Sequence, residues 1–88
     1  MNEQEKFVIS DMALASVLIF FGEPMIDVKK NDKDEIEFIF NQSLDLQNLV
    51  KGYSLGELSV EPRRFALVMK EIKKIIFTQK NNIERREI

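Results

Sequence analysis

Five basic side chains on the last predicted helix are the residues of this chain best suited to bind a ligand. They are Arg63, Arg64, Lys70, Lys73 and Lys74. Arginine binds phosphate oxygens through paired hydrogen bonds, and lysine binds them as a compact charge. The free backbone N–H groups of a helix's first turn also bind anions. The pattern therefore predicts a helix that holds phosphates.

The same cations also have an internal explanation. Arg63 and Arg64 oppose the helix dipole at its amino terminus, so they call for a compensating negative group. Glu57 or Glu61 would serve, and so would the phosphate of a ligand. The lysines further along have the plain interpretation of a solvated helix face. The sequence leaves these alternatives open.

The charges of the chain are divided between its two parts. Residues 1–61 carry 5 Lys/Arg against 12 Asp/Glu, and residues 62–88 carry 8 against 3. The formal net charge of −2 therefore hides an acidic body and a basic final segment. Such asymmetry suggests either a phosphate-bearing partner or an internal ion-paired contact. The acidic body counts against nucleic acid, because domains dedicated to it tend to be basic overall.

Composition argues against catalysis. The chain has no cysteine and no histidine, which excludes disulfides, structural zinc, cysteine nucleophiles and imidazole acid–base chemistry. Its three glycines are too sparse for a phosphate-binding loop. Asp32, Asp34 and Glu35 could hold a hard cation, but the segment lacks the glycine and spacing of an EF-hand, so a solvated turn is favoured. We predict a protein that is not an enzyme and has no cofactor or metal.

Aromatic residues bear on a nucleic-acid interpretation, because single-stranded binders stack bases on exposed rings beside cations. Tyr53 is the sole tyrosine, and its hydroxyl makes it the ring best suited to reach the surface. Phe38 and Phe40 fall on the apolar face of a predicted hairpin and are assigned to the core. The remaining phenylalanines are assigned to the core as well: Phe7, Phe20, Phe21, Phe65 and Phe77.

Hydrophobic periodicity predicts an α+β fold in one domain over residues 1–80, with a frayed polar tail at 81–88. Helices are predicted at about 12–21, 44–53 and 62–78, with Asp11 and Ser43 as caps and Gly22 as a stop. An antiparallel hairpin is predicted over 25–40, and a short third strand near 57–60. Matching the apolar faces places Val28 opposite Phe38 and Ile26 opposite Phe40, which requires a loop of three or five residues.

The helix at 12–21 is apolar almost all round and would bury most of its surface. Burial on all sides is hard to achieve in 88 residues, so homodimerisation through this helix is a hypothesis. The apolar run is too short to cross a bilayer, and the residues before it are acidic, unlike a secretory leader. We therefore predict a cytoplasmic protein without a membrane partner.

Three motifs follow one another along the chain: Asp11-x-x-Leu14-Ala15-Ser16-x-Leu18 with Gly22, the hairpin with Phe38 and Phe40, and Tyr53-x-x-Gly56-Glu57-Leu58-x-Val60-x-Pro62-Arg63-x-Phe65. In these motifs the chain resembles a family of small uncharacterised domains from bacterial, archaeal, phage and mobile-element genomes, over about residues 7–78. The resemblance implies a compact α+β layout and no established activity. The layout is also loosely similar to thermophilic archaeal single-stranded-DNA-binding proteins, which offer an apolar and basic cleft.

Two functional hypotheses follow. The first is a non-enzymatic accessory protein of a phage or mobile element that binds single-stranded nucleic acid. Its site would be Tyr53 for base stacking, with the five cations for phosphates. The second is a protein-interaction module, an oligomeric adapter or viral inhibitor of a host complex, using the helix at 12–21, Ile39 and the acidic surface.

Overall fold

A three-stranded antiparallel sheet and three helices form the α+β fold that the periodicity predicts. The computed structural model describes the backbone of residues 5–85 and the side chains of residues 5–79. The strands lie in the order β1-β3-β2, so β3 is central. The elements are β1 (Lys6–Ile9), α1 (Met12–Phe20), β2 (Met25–Lys30), β3 (Ile36–Asn41), α2 (Leu44–Ser54) and α3 (Pro62–Arg85).

The third strand is β1, so the prediction of a strand near 57–60 is wrong. Segment 57–61 joins α2 to α3 without a strand partner. Its Leu58 packs against α2 at Gly52, where an added Cβ would lie 2.9 Å from the leucine Cδ2. The alternation of Leu58 and Val60 thus reflects packing on a helix. The free edge of β3 pairs instead with β1, whose Phe7 lies opposite Phe40.

The hairpin register is confirmed at its loop end and wrong at its far end. Val28 lies opposite Phe38, and five residues, 31–35, form the loop. A bulge then shifts the pairing, so that Met25 rather than Ile26 lies opposite Phe40. A bulge adds one residue to one strand and turns it out of the ladder. Ile26 is accordingly exposed, while Met25 packs against the core.

The core lies between the sheet and the helices. Both α2 and α3 pack on α1. Residues 14–18 of α1 are all buried within this single copy. Burial of α1 therefore needs no second copy, which removes the reason for a dimer through this helix. The largest fully buried apolar side chains are Phe38, Phe40, Leu18, Leu46 and Ile72.

Helices α1 and α2 begin and end at the residues that the sequence marks. The Asp11 carboxylate accepts hydrogen bonds from two backbone N–H groups of α1, and the Ser43 hydroxyl oxygen accepts one from Leu46. After each helix, a glycine with positive φ, Gly22 or Gly56, closes paired hydrogen bonds onto the last turn. These ends turn the chain from α1 into the hairpin and from α2 toward α3.

We expect Gly56→Ala to destabilise the fold by about 1–2 kcal/mol through backbone strain alone. Gly56 has φ +69°, and an added Cβ would meet no atom within 4 Å, so packing is unaffected. Gly56→Asn is the matched control, because asparagine tolerates the left-handed region better. Urea unfolding measures both midpoints. Equal midpoints for the alanine variant and the unsubstituted protein would contradict the strained turn.

Helix α3 runs further than the sequence predicts, through Arg85 instead of ending near residue 78. Part of the segment expected as a tail, 81–85, is therefore helical. Fraying of residues 81–88 stays a prediction, and residues 86–88 lie outside the described part of the chain. Across the described residues, no helix has the combined length and apolarity that crossing a membrane requires.

Candidate nucleic-acid interface

Helix α3 presents three of the predicted cations in a row on its outer face. Ile72 is buried on the inner face, where Val68 and Ile76 also pack against the core. Successive residues turn by about 100° around a helix, which places the three cations within about 20° of the line opposite Ile72. All three are exposed. We call this set the basic row: Arg63, Lys70 and Lys74.

Carboxylates leave most of the basic groups unpaired. Within side chains 5–79, no acidic oxygen lies within 4.0 Å of the basic groups of Arg63, Arg64, Lys70 or Lys73. Lys74 does have a neighbour, since its Nζ lies 3.8 Å from Glu71 Oε2. Both of these side chains are more than two-thirds exposed, and such pairs contribute little. Among these side chains, neither Glu57 nor Glu61 forms an ion pair with Arg63 or Arg64.

Glu61 compensates the helix dipole in a different way, by capping α3. Its carboxylate accepts hydrogen bonds from the backbone N–H of Arg64 at 2.8 Å and of Arg63 at 3.1 Å. The hydrogen bond from Arg64 lowers the pKa of Glu61 most, and the bond from Arg63 lowers it further. The positive charge of Arg64 adds to the same effect. These two N–H groups are thus occupied. The expectation that they are free to bind a phosphate is wrong.

We expect Glu61→Gln to lower stability in a pH-dependent way. The ionised form makes the cap, so its contribution is present above the pKa of an unfolded glutamate and is lost as pH falls through the lower folded pKa. Glutamine keeps an acceptor oxygen without the charge. Urea unfolding at a series of acidic and neutral pH values measures the difference between the two proteins. A difference that stays constant down to strongly acidic pH would contradict a charged cap.

Arg64 and Lys73 lie on opposite flanks of the basic row. The guanidinium carbon of Arg64 sits 4.6 Å from the centroid of the Phe20 ring. Phe20 in turn makes edge-on contacts with Phe21 and Phe65. Arg64 is therefore partly engaged in a cation–π contact, although it remains exposed. Lys73 is exposed and lies about 60° around the helix from Lys70.

Tyr53 is not brought together with the basic row. It is half-buried on α2 and packs against the core. Among the described side chains, no hydrogen bond or cation–π contact joins it to the five cations. Tyr53 as a base-stacking residue stays a prediction, at a ring that is half-buried and apart from the basic row. Its ring completes the apolar face that Leu46 begins on the same helix.

The match to known families covers nearly the whole chain. The family model described as "Domain of unknown function (DUF5659)" matches residues 4–86. The chain belongs to the DUF5659 family. No curated protein and no solved structure matches it. The DUF5659 match thus confirms an uncharacterised domain of this extent and carries no activity with it.

The outer face of α3 in this DUF5659 domain also carries two apolar side chains that sequence reasoning missed. Leu67 is 62% exposed and Phe77 is 66% exposed, so the assignment of Phe77 to the core is wrong. Phe21, assigned likewise, is 40% exposed. The sequence does contain a pattern that predicts this. From Arg63 through Lys74 to Phe77, these residues are spaced alternately by four and three positions, which places them on one face of a helix. The outer face of this DUF5659 helix thus combines cations with exposed apolar groups.

Proposed function

We propose that this DUF5659 domain binds single-stranded nucleic acid through the outer face of α3. The observation that carries the proposal is the basic row, which is exposed and in which Arg63 and Lys70 have no carboxylate within 4.0 Å among side chains 5–79. Cations along one face of a helix suit a chain of phosphates. Arg64 and Lys73 add charge at the flanks of the row.

The apolar groups on the same face favour a single strand over a duplex. Leu67 and Phe77 lie beside the basic row and are mostly exposed. Such groups contact the faces of bases, which are accessible in a single strand and covered by stacking in a duplex. Phe77 takes the stacking role first assigned to Tyr53, because its ring is exposed and lies on the helix that bears the cations.

The acidic body sets limits on this binding. Residues 1–61 carry an excess of seven negative charges, with 5 Lys/Arg against 12 Asp/Glu, so attraction is confined to α3. We expect modest affinity that falls steeply with salt. The family resemblance suggests a setting in a phage or mobile element, where the domain would be an accessory factor in replication or repair. A cytoplasmic location accords with that role.

A fluorescence anisotropy titration tests the proposal. The probe is a labelled oligothymidylate of about 15 nucleotides, within the range that single-strand binding sites span. We expect saturable binding at about 50 mM salt and weaker binding at about 200 mM. A duplex of the same length should bind less tightly. Absence of binding at the lower salt, or affinity that ignores salt, would rule the function out.

A second candidate function is protein interaction. Its original basis has weakened, because α1 and Ile39 are buried within one copy. The specific observation that favours it is a pair of exposed leucines at the two ends of α2, Leu44 at 72% and Leu55 at 59% exposure. Purification from the native host separates the two functions. A stoichiometric protein partner favours this one, and bound nucleic acid favours the first.

A further inference from the structure

A small open pocket lies beside the basic row, on the carboxyl-terminal half of α3. It has a volume of about 250 Å³ and is lined by Lys74, Ile75, Thr78 and Gln79. The isoleucine side chain and the stems of its neighbours give it mainly apolar walls, and Lys74 brings a cationic side chain to its lining. Gln79 is held in place, because its side-chain amide donates a 2.7 Å hydrogen bond to the carbonyl oxygen of Val28 in β2.

Lys74 separates this pocket from the exposed Phe77 ring. Helix geometry places Phe77 about 60° to one side of Lys74 and Thr78 about 40° to the other. Both residues lie about one helical turn beyond the lysine. A strand that crosses α3 at Lys74 would therefore find a cation in the middle, an aromatic ring on one side and an apolar recess on the other.

We propose that this pocket receives a single base of the strand, while Lys74 binds an adjoining phosphate and Phe77 stacks a neighbouring base. The proposal rests on the proposed function and assigns the contacts that distinguish bases from bare backbone. To the basic row and the Phe77 ring it adds a second base-contacting position, the pocket.

Size and charge both favour a base as the occupant. Small-molecule sites usually measure about 300–1,000 Å³, so this pocket suits one ring system rather than a larger ligand. Lys74 at its edge selects a ring attached to an anion. Its 3.8 Å contact with Glu71 is loose and solvent-exposed, so a phosphate can compete for the ammonium group. A base in a polynucleotide meets both requirements, whereas a neutral aromatic compound meets only the first.

The first test compares two probes on the unaltered protein. One is a labelled oligothymidylate of about 15 nucleotides, and the other is an abasic strand of equal length and charge. We expect the strand with bases to bind at least about fivefold more tightly, because stacking acts on bases alone. Equal, salt-dependent binding of both strands would overturn base binding in the pocket and stacking on Phe77, and would leave strand binding through the basic row standing. Failure of both strands to bind would instead overturn the proposed function and this inference together.

Two variants locate the effect. Phe77→Ala removes the exposed ring, and Thr78→Met fills the pocket. Each should lower affinity for the oligothymidylate at least about threefold, and neither should change the salt slope or the affinity for the abasic strand, because no charge is lost. Leu44→Ala is the matched control, an exposed apolar group on α2 that should leave binding unchanged. Unchanged affinity in both α3 variants would overturn the assignment of these contacts.

Discussion

Phe38→Ala is expected to lower the free energy of unfolding by about 3–5 kcal/mol. Phe38 is 1% exposed on the central strand, opposite Ile9 on one side and Val28 on the other. Its ring belongs to the cluster that also holds Leu18 of α1. Truncation removes the transfer energy of the ring and leaves a cavity between sheet and helices. At about 0.05–0.15 kcal/mol per residue, a domain of 88 residues has a total stability of about 4–13 kcal/mol.

Thermal unfolding followed by circular dichroism measures this loss. For a domain of this size each kcal/mol shifts Tm by about 4–8 °C, so we expect a drop of at least about 12 °C. Phe77→Ala is the matched control, the same substitution at a side chain that is 66% exposed. That variant should stay within about 0.5 kcal/mol of the unsubstituted protein. Similar Tm values for the two variants would contradict the placement of the core.

Local signals made the helix boundaries and the hairpin accessible to sequence reasoning. Asp11 and Ser43 precede apolar runs and have side chains that accept backbone N–H bonds, so each marks a helix start. Gly56 marks a helix end because it adopts a positive φ at little cost. The odd number of residues in the hairpin loop follows from side-chain alternation, because only an odd-length loop places the apolar side chains of both strands on the same face. These features depend on residues close together in the chain.

Pairings between distant segments were not accessible in the same way. Any extended segment can form hydrogen bonds with the edge of β3. The alternation of apolar and polar residues does not indicate whether that segment is β1 or 57–61. Leu58 is drawn instead to the surface that Gly52 opens on α2. The bulge before Asp27 likewise could not be predicted from the alternation of apolar and polar residues in the strand. Tertiary packing decided each of these cases.

The candidate site was half accessible from the sequence. The basic row followed from charge and helical spacing, but residue type was a poor guide to the exposure of the aromatic side chains. Tyr53 has a hydroxyl suited to the surface, yet its position on α2 faces the core. Phe77 is apolar, yet its position on α3 faces outward. Position around the helix therefore outweighed side-chain polarity in both residues.

Removal of the basic row is expected to abolish most binding to single strands under the proposed function. The test protein carries Arg63→Gln, Lys70→Gln and Lys74→Gln together. Each phosphate contact contributes about 0.7 to the slope of log affinity against log salt for a single strand, so three contacts give a slope of about −2. Affinity of the unsubstituted protein should then fall roughly 20-fold between about 50 and 200 mM salt. The triple variant should lose about 2 units of slope and on the order of 100-fold in affinity at the lower salt.

The matched control removes the same charge from other surfaces. It carries Lys29→Gln, Lys33→Gln and Lys51→Gln, all at exposed positions outside α3. If only net charge mattered, the two triple variants would weaken binding equally, because each makes the protein more acidic by three units. If the row itself holds phosphates, the control keeps a slope near −2 while the α3 variant does not. Glutamine preserves helix propensity at the positions in α2 and α3, and Lys29 and Lys33 are exposed outside the helices, so both proteins should keep the same thermal stability within a few degrees. Equal salt slopes in the two variants would therefore refute α3 as the binding face, whatever the change in absolute affinity.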